Sequence, residues 1–170
     1  MIYIGIDNGL NGAIVGIDKE RKVIYSFIMP VFKVKNKHEF NVWGIVKIFD
    51  QMIKIHGREN ISVILEQAHV RPISGKRACF TTGFCFGMMQ GILESLKIRY
   101  EIISPREWQS KMLRTTKKSD TKALAILLCQ RNWPTEDWKA STRCKKPHDG
   151  LCDAGVMALY GFNKYTGFIK

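Results

Sequence analysis

Residues 2–29 read IYIGIDNGLNGAIVGIDKERKVIYSFIM, and this stretch decides the architecture. Ile2, Ile4 and Ile6 alternate with Tyr3, Gly5 and Asp7, the period of a β-strand. The turn cluster Asn8-Gly9-Leu10-Asn11-Gly12 comes next, then an apolar run from Ala13 to Ile17. A charged turn, Asp18 to Lys22, leads into a third run from Val23 to Met29, closed by Pro30. Three strands joined by such short turns form an antiparallel meander.

Working outward, residues 31–39 read as a basic loop. Ile45, Ile48, Met52 and Ile55 recur at helical spacing, and Gly57 is a stop signal. Ile61 to Glu66 reads as a short apolar strand, 67–78 as a polar loop, 79–97 as a helix and Arg99 to Ile103 as a fifth strand. Ser104-Pro105-Arg106-Glu107 is a helix start, with a capping serine, proline at the first helical position and glutamate to complete a capping box. A basic break over 111–118 precedes a helix from Ser119 to about Asn132. A basic loop over 138–147 leads to a last helix from His148 to about Asn163. Helical crossovers favour parallel pairing of the strands they join. The expectation is an α/β fold in one domain, 1–170. Its five-stranded mixed sheet has three antiparallel strands, then two parallel ones, flanked by helices.

Lys and Arg number 27 against 15 Asp and Glu, a formal net charge of +12, which points to a polyanionic partner such as nucleic acid. No run of about 18 uncharged apolar residues exists, so no membrane-spanning helix is expected. The N-terminal residues carry no basic leader or small-residue cleavage site. Five cysteines without a CxxC pair suit a reduced, intracellular setting. Cys144, His148 and Cys152 have a spacing that suggests zinc, but Pro147 interrupts a helical reading and no fourth ligand is evident, so zinc is not expected.

Four carboxylates stand out. Asp7 and Glu66 each end an apolar strand, and parallel neighbours would bring those ends to about 4.8 Å. Two like charges so close resist ionisation unless a proton or cation intervenes, and Mg²⁺ prefers oxygen ligands of this kind. Asp149 and Asp153 lie four apart, on one face of the last helix. A first-turn position explains Asp149 through the helix dipole but leaves Asp153 unexplained. Together the four would hold two metal ions, a device that stabilises attacking and leaving oxygens in phosphoryl displacement. Basic loops surround them. Arg106, Lys111, Arg114, Lys117, Lys118 and Lys122 lie in one, and Lys139, Arg143, Lys145 and Lys146 in the other.

Ile4-Gly5-Ile6-Asp7-Asn8-Gly9, Val63-Ile64-Leu65-Glu66 and His148-Asp149-Gly150-Leu151-Cys152-Asp153-Ala154 resemble, in this order and separation, the RuvC family of Holliday junction resolvases within the ribonuclease H-like superfamily. The short chain is similar to its compact phage and viral members. The resemblance implies a homodimer that binds branched DNA, a four-way junction. It also implies symmetric nicks leaving 5′-phosphate and 3′-hydroxyl ends, with two Mg²⁺ ions per site or Mn²⁺ in their place, and no nucleotide cofactor. Asp7, Glu66 and Asp153 carry over as metal ligands. Several members place the remaining acid where this chain has Gly150, and Asp149 is taken here, with His148 orienting water, serving as a base or simply starting the helix. Lys118 and Lys122 are candidates for the scissile phosphate. Arg71, Lys76, Arg77 and Phe80 follow Glu66, where relatives contact the junction core. Phe80 reads first as core and second as a wedge between bases. Arg114, Lys117, Arg143, Lys145 and Lys146 complete the DNA-binding candidates. Gly83, Gly87 and Gly91, with Phe84 and Met88, read either as packing on the sheet or, by the resemblance, as a dimer seam.

Two other functions fit parts of the sequence. A Gly-Ile-Asp-x-Gly loop also opens actin-like ATPases and sugar kinases, which need two lobes where this chain has length for one. A junction-binding protein without catalysis would gain nothing from buried negative charge.

Overall fold

The structure, a computed structural model, describes residues 1–35, 37–69, 75–114 and 120–169. Its main sheet is built from β1 (Ile2–Asp7), β2 (Ala13–Ile17), β3 (Val23–Ile28), β6 (Ile61–Glu66) and β7 (Arg99–Ile103), in the order β3-β2-β1-β6-β7. The first three strands pair antiparallel, while β1–β6 and β6–β7 pair parallel. This is the expected five-stranded mixed sheet. Helices α1 (Val42–His56) and α2 (Lys76–Ser95) belong to one side of the molecule. Helices α3 (Pro105–Leu113), α4 (Thr121–Asn132) and α5 (Asp149–Tyr165) belong to the other.

Strand parity assigns the side chains. Ile2, Ile4, Ile6, Val63 and Leu65 pack with Ile45, Phe49, Met52, Met89 and Leu93. Tyr3, Val15, Ile17 and Ile64 pack with Trp108, Cys129 and α5. Both faces are covered, so β1 and β6 are buried along their length until the last residue of each, Asp7 and Glu66. From Gly150 to Phe162 every residue of α5 is buried except Asp153. A helix apolar all round belongs inside a fold, and Asp153 is its one interruption.

Gly5 allows this. A Cβ there would meet the Ala154 carbonyl oxygen at 2.0 Å and the Ala158 nitrogen at 2.5 Å, so α5 lies directly on the β1 backbone. The helix start at Ser104 is as expected: its side chain accepts from the Glu107 N–H at 3.2 Å, and Pro105 occupies the first turn.

Three local expectations are corrected. Residues 31–39 are no loop: β4 (Val31–Val34) and β5 (Lys37–Phe40) form a hairpin, whose root pair Val31 and Phe40 joins the core while the rest of it is exposed. Helix α2 starts at Lys76, three residues earlier than 79, so the polar loop is shorter. The glycine stripe does not pack on the sheet, since a Cβ at Gly83, Gly87 or Gly91 would meet nothing within 4 Å. Among the described residues no helix is long and apolar enough to cross a membrane.

Candidate active site

The parallel register of β1 and β6 runs from Ile2 opposite Ile61 to Ile6 opposite Leu65. One more step along each strand reaches Asp7 and Glu66. Both have the parity of Tyr3, Gly5 and Ile64, hence the side on which α5 lies. The ends are tied: the Asn8 amide donates to the Glu66 carbonyl at 2.7 Å, and the Gly9 N–H donates to Asp7 Oδ1 at 3.1 Å.

A cleft of about 510 Å³ opens at this edge. Asp7, Asp149 and Asp153 line it, together with Lys122 from α4 and the turn after β1. Glu66 sits behind them, its Oε1 accepting from the indole N–H of fully buried Trp108 at 2.9 Å. Four acids distant in sequence thus come to one edge of the sheet.

Their electrostatics record that crowding. Burial, then the charges of Asp7 and Asp153, push Glu66 up to about 8 against the relief of the Trp108 bond. Burial, then Asp7 and Asp149, push Asp153 up to about 7, with Lys122 opposing. Burial raises Asp7 too, against the Gly9 N–H and the charges of His148 and Lys122. A protein of net charge +12 therefore holds, at one spot, acids short of positive charge.

The donor set is all carboxylate oxygen, the chemistry of Mg²⁺ and Mn²⁺. As the side chains stand, Glu66 turns to Trp108 and Asp149 to Lys122, and among the described residues no group of three or more His, Cys, Asp or Glu is placed to hold an ion. Mutually repelling carboxylates that find separate donors account for this arrangement.

Position 150 excludes an acid. A Cβ there would meet the Asn11 carbonyl oxygen at 2.7 Å and Gly12 Cα at 2.9 Å, because the start of α5 abuts the turn after β1. Asp149 instead opens α5 at the cleft, its Oδ2 2.5 Å from Lys122 Nζ. His148 is the N-cap: its Nδ1 accepts from the Leu151 N–H at 3.3 Å, which supplies the helix-start role.

Among the DNA-binding candidates, Arg71, Lys117 and Lys118 lie outside the described residues. Lys76, Arg77, Arg114, Arg143, Lys145 and Lys146 are exposed, and Arg114 closes α3 in the left-handed region at φ 53°. Phe80 is 72% exposed, so its core reading is corrected: α2 buries the face of Cys85, Met89, Ile92 and Leu93, and Phe80 lies on the other side of the helix. It stacks on Phe84, which is 57% exposed, with ring centroids 6.1 Å apart. Met88 is half-buried on the same helix. Sequence reading missed Thr81, Thr82 and Cys85, which line the cleft from α2. Their signal was the four-residue step from Thr81 to Cys85, hidden beside the glycine stripe.

No protein-family model and no curated protein sequence matches the chain. Solved structures do. Thermus thermophilus RuvC in complex with Holliday junction substrate superposes with a TM-score of 0.67 at 13% identity, covering 98% of this chain and 96% of the other. Another structure of Thermus thermophilus RuvC gives 0.62 at 16% identity, with 98% and 97% covered. The yeast mitochondrial Holliday junction resolvase Ydc2 gives 0.50 at 14% identity, with 97% and 81% covered. From end to end, the chain has the RuvC-like form of the ribonuclease H-like fold.

Proposed function

We propose that this protein is a structure-selective DNA endonuclease that resolves four-way junctions by metal-dependent phosphodiester hydrolysis, leaving symmetric nicks with 5′-phosphate and 3′-hydroxyl ends. The observation that carries the reading is the gathering of Asp7, Glu66, Asp149 and Asp153 at one cleft edge of a RuvC-like fold, with burial and mutual repulsion raising Glu66 and Asp153.

Asp7, Glu66, Asp149 and Asp153 would hold two Mg²⁺ ions, or Mn²⁺. The ions supply positive charge to activate water and to neutralise the phosphoryl oxygens. Asp7 is oriented by the Gly9 N–H, and Glu66 by Trp108. Asp153 is carried on a buried helix that fixes its position. Lys122, exposed beside Asp149, offers a cation to the scissile phosphate. Lys76, Arg77, Arg114, Arg143, Lys145 and Lys146 supply backbone contacts. The outer face of α2, with Phe84 and the open glycines, forms the seam of a two-fold dimer that presents two sites to symmetric strands.

The test is incubation of a labelled four-way junction, a flap and a linear duplex with and without Mg²⁺. Paired nicks in the junction, dependent on the ion, are expected. Asp7→Asn retains junction binding and loses nicking. Nicking by Asp7→Asn at the wild-type rate overturns the site, and junction binding without any nicking in Mg²⁺ or Mn²⁺ overturns the enzyme.

A further inference from the structure

The hairpin β4–β5 is not needed to connect the fold. The Asn41 N–H donates to the Pro30 carbonyl at 2.9 Å, so the chain is already closed where the excursion begins and ends. Residues 31–35 and 37–40 lie between these points. Val31 and Phe40 anchor the root in the core cluster that also holds Met29. Beyond them every described residue is exposed, including Phe32 at 49% and Val34 at 41%. A two-stranded hairpin is at best marginal by itself, so beyond its anchored root this one adds little to the stability of the fold.

Its charge indicates the role. Lys33, Lys35, Lys37 and His38 stand against one acid, Glu39. Among the described residues none of these lysines is paired with a carboxylate. Lys35 occupies a left-handed position at φ 55°, a conformation costly to any residue but glycine, and still presents a cation there. Next to the root, Trp43 is 65% exposed on the first turn of α1, and Lys47 Nζ stands 5.2 Å from its ring centroid.

The location connects the hairpin to the cleft. The Met29 N–H donates to the Gly12 carbonyl at 3.0 Å, and Gly12 lines the cleft. A four-residue strand reaches about 13 Å from its root, and a two-stranded ribbon has the width a DNA groove admits.

We propose that β4–β5, with Trp43 and Lys47, is a second DNA-binding arm that grips the phosphate backbone of a duplex beside the cleft. This rests on the nuclease reading. The hairpin acts on affinity for any duplex arm and takes no part in the chemistry.

The experiment compares wild type, the triple variant Lys33→Gln/Lys35→Gln/Lys37→Gln and the same triple change to arginine. Binding of a labelled four-way junction and of a linear duplex is followed across salt concentrations without divalent ions. Single-turnover nicking of the junction at saturating protein is measured in Mg²⁺. The glutamine variant is expected to bind both DNAs more weakly, with the slope of log affinity against log salt shallower by about 0.9 per lysine, or about 2.7. The arginine variant restores the slope, and the saturated nicking rate is unchanged in both. If wild type binds and nicks while the glutamine variant has the same slope and affinity, the arm is overturned and the nuclease stands. If wild type shows no salt-dependent DNA binding, the nuclease reading itself fails.

Discussion

Trp108 donates its indole N–H to Glu66 Oε1 at 2.9 Å, across 42 residues of sequence. The indole is fully buried, so the bond is shielded from water and holds the carboxylate at the end of β6. It also opposes the burial and like charges that drive Glu66 up to about 8. Trp108→Phe removes that opposition. The acidic limb of the nicking rate is expected to move to higher pH, with a packing cost of about 1–3 kcal/mol. Rates from pH 6 to 10 check it, and an unmoved limb would show that the bond does not tune Glu66.

Stability of the ion-free protein should depend on pH in a fixed direction. Glu66 near 8 and Asp153 near 7 lie above their ordinary values of 4.5 and 3.8. The folded state therefore prefers them protonated. That contribution is complete below about pH 4 and is lost as pH rises through 7 and 8. The urea midpoint is expected to fall between pH 5 and pH 9, and Mg²⁺ or Mn²⁺ at pH 9 to raise it by mass action. A midpoint indifferent to pH and to both ions would contradict the crowding of the acids.

Two glycines predict opposite outcomes. Gly5→Ala places a Cβ 2.0 Å from the Ala154 carbonyl and forces α5 off β1. A loss of several kcal/mol, or no folded protein, is expected. Gly87→Ala meets nothing within 4 Å inside its own protomer and should gain about 1 kcal/mol from helix propensity in the monomer, so a net loss of stability instead reports close packing across the proposed seam. Thermal denaturation of both reads the difference, and a Gly5→Ala protein as stable as wild type would refute the contact between α5 and β1.

Phe80 and Phe84 stack as one apolar surface, so a division of the two between DNA and dimer is open to test. Phe84→Ser is expected to shift sedimentation from dimer to monomer, and with it to abolish the pairing of nicks. Phe80→Ser, in contrast, should remain dimeric and lose affinity for the junction relative to linear duplex. A Phe84→Ser protein that sediments as a dimer removes α2 from the seam.

Local pattern was enough where a residue's neighbours in sequence are also its neighbours in space. The alternation from Ile2 to Asp7, the turn clusters and the Ser104-Pro105 cap follow from backbone preferences within a few residues. Asp7, Glu66 and Asp153 were legible because a carboxylate in an apolar run conflicts with its own surroundings. The hairpin of β4 and β5 has no alternating apolar pattern to announce it, and its anchors Val31 and Phe40 acquire meaning only on reaching the core. Phe80 reads inward by the general preference of phenylalanine for a core, and only the packing of Cys85, Met89, Ile92 and Leu93 decides that its side of α2 faces out.

The antiparallel meander, the parallel sense of the strands after it and the isolation of the acids in apolar surroundings were determined by the sequence itself. Tertiary structure alone decided that position 150 has no room for a carboxylate, that Trp108 holds Glu66 and that Thr81, Thr82 and Cys85 line the cleft. Each depends on the close approach of segments distant along the chain, and excluded volume and hydrogen-bond geometry act only once those segments meet.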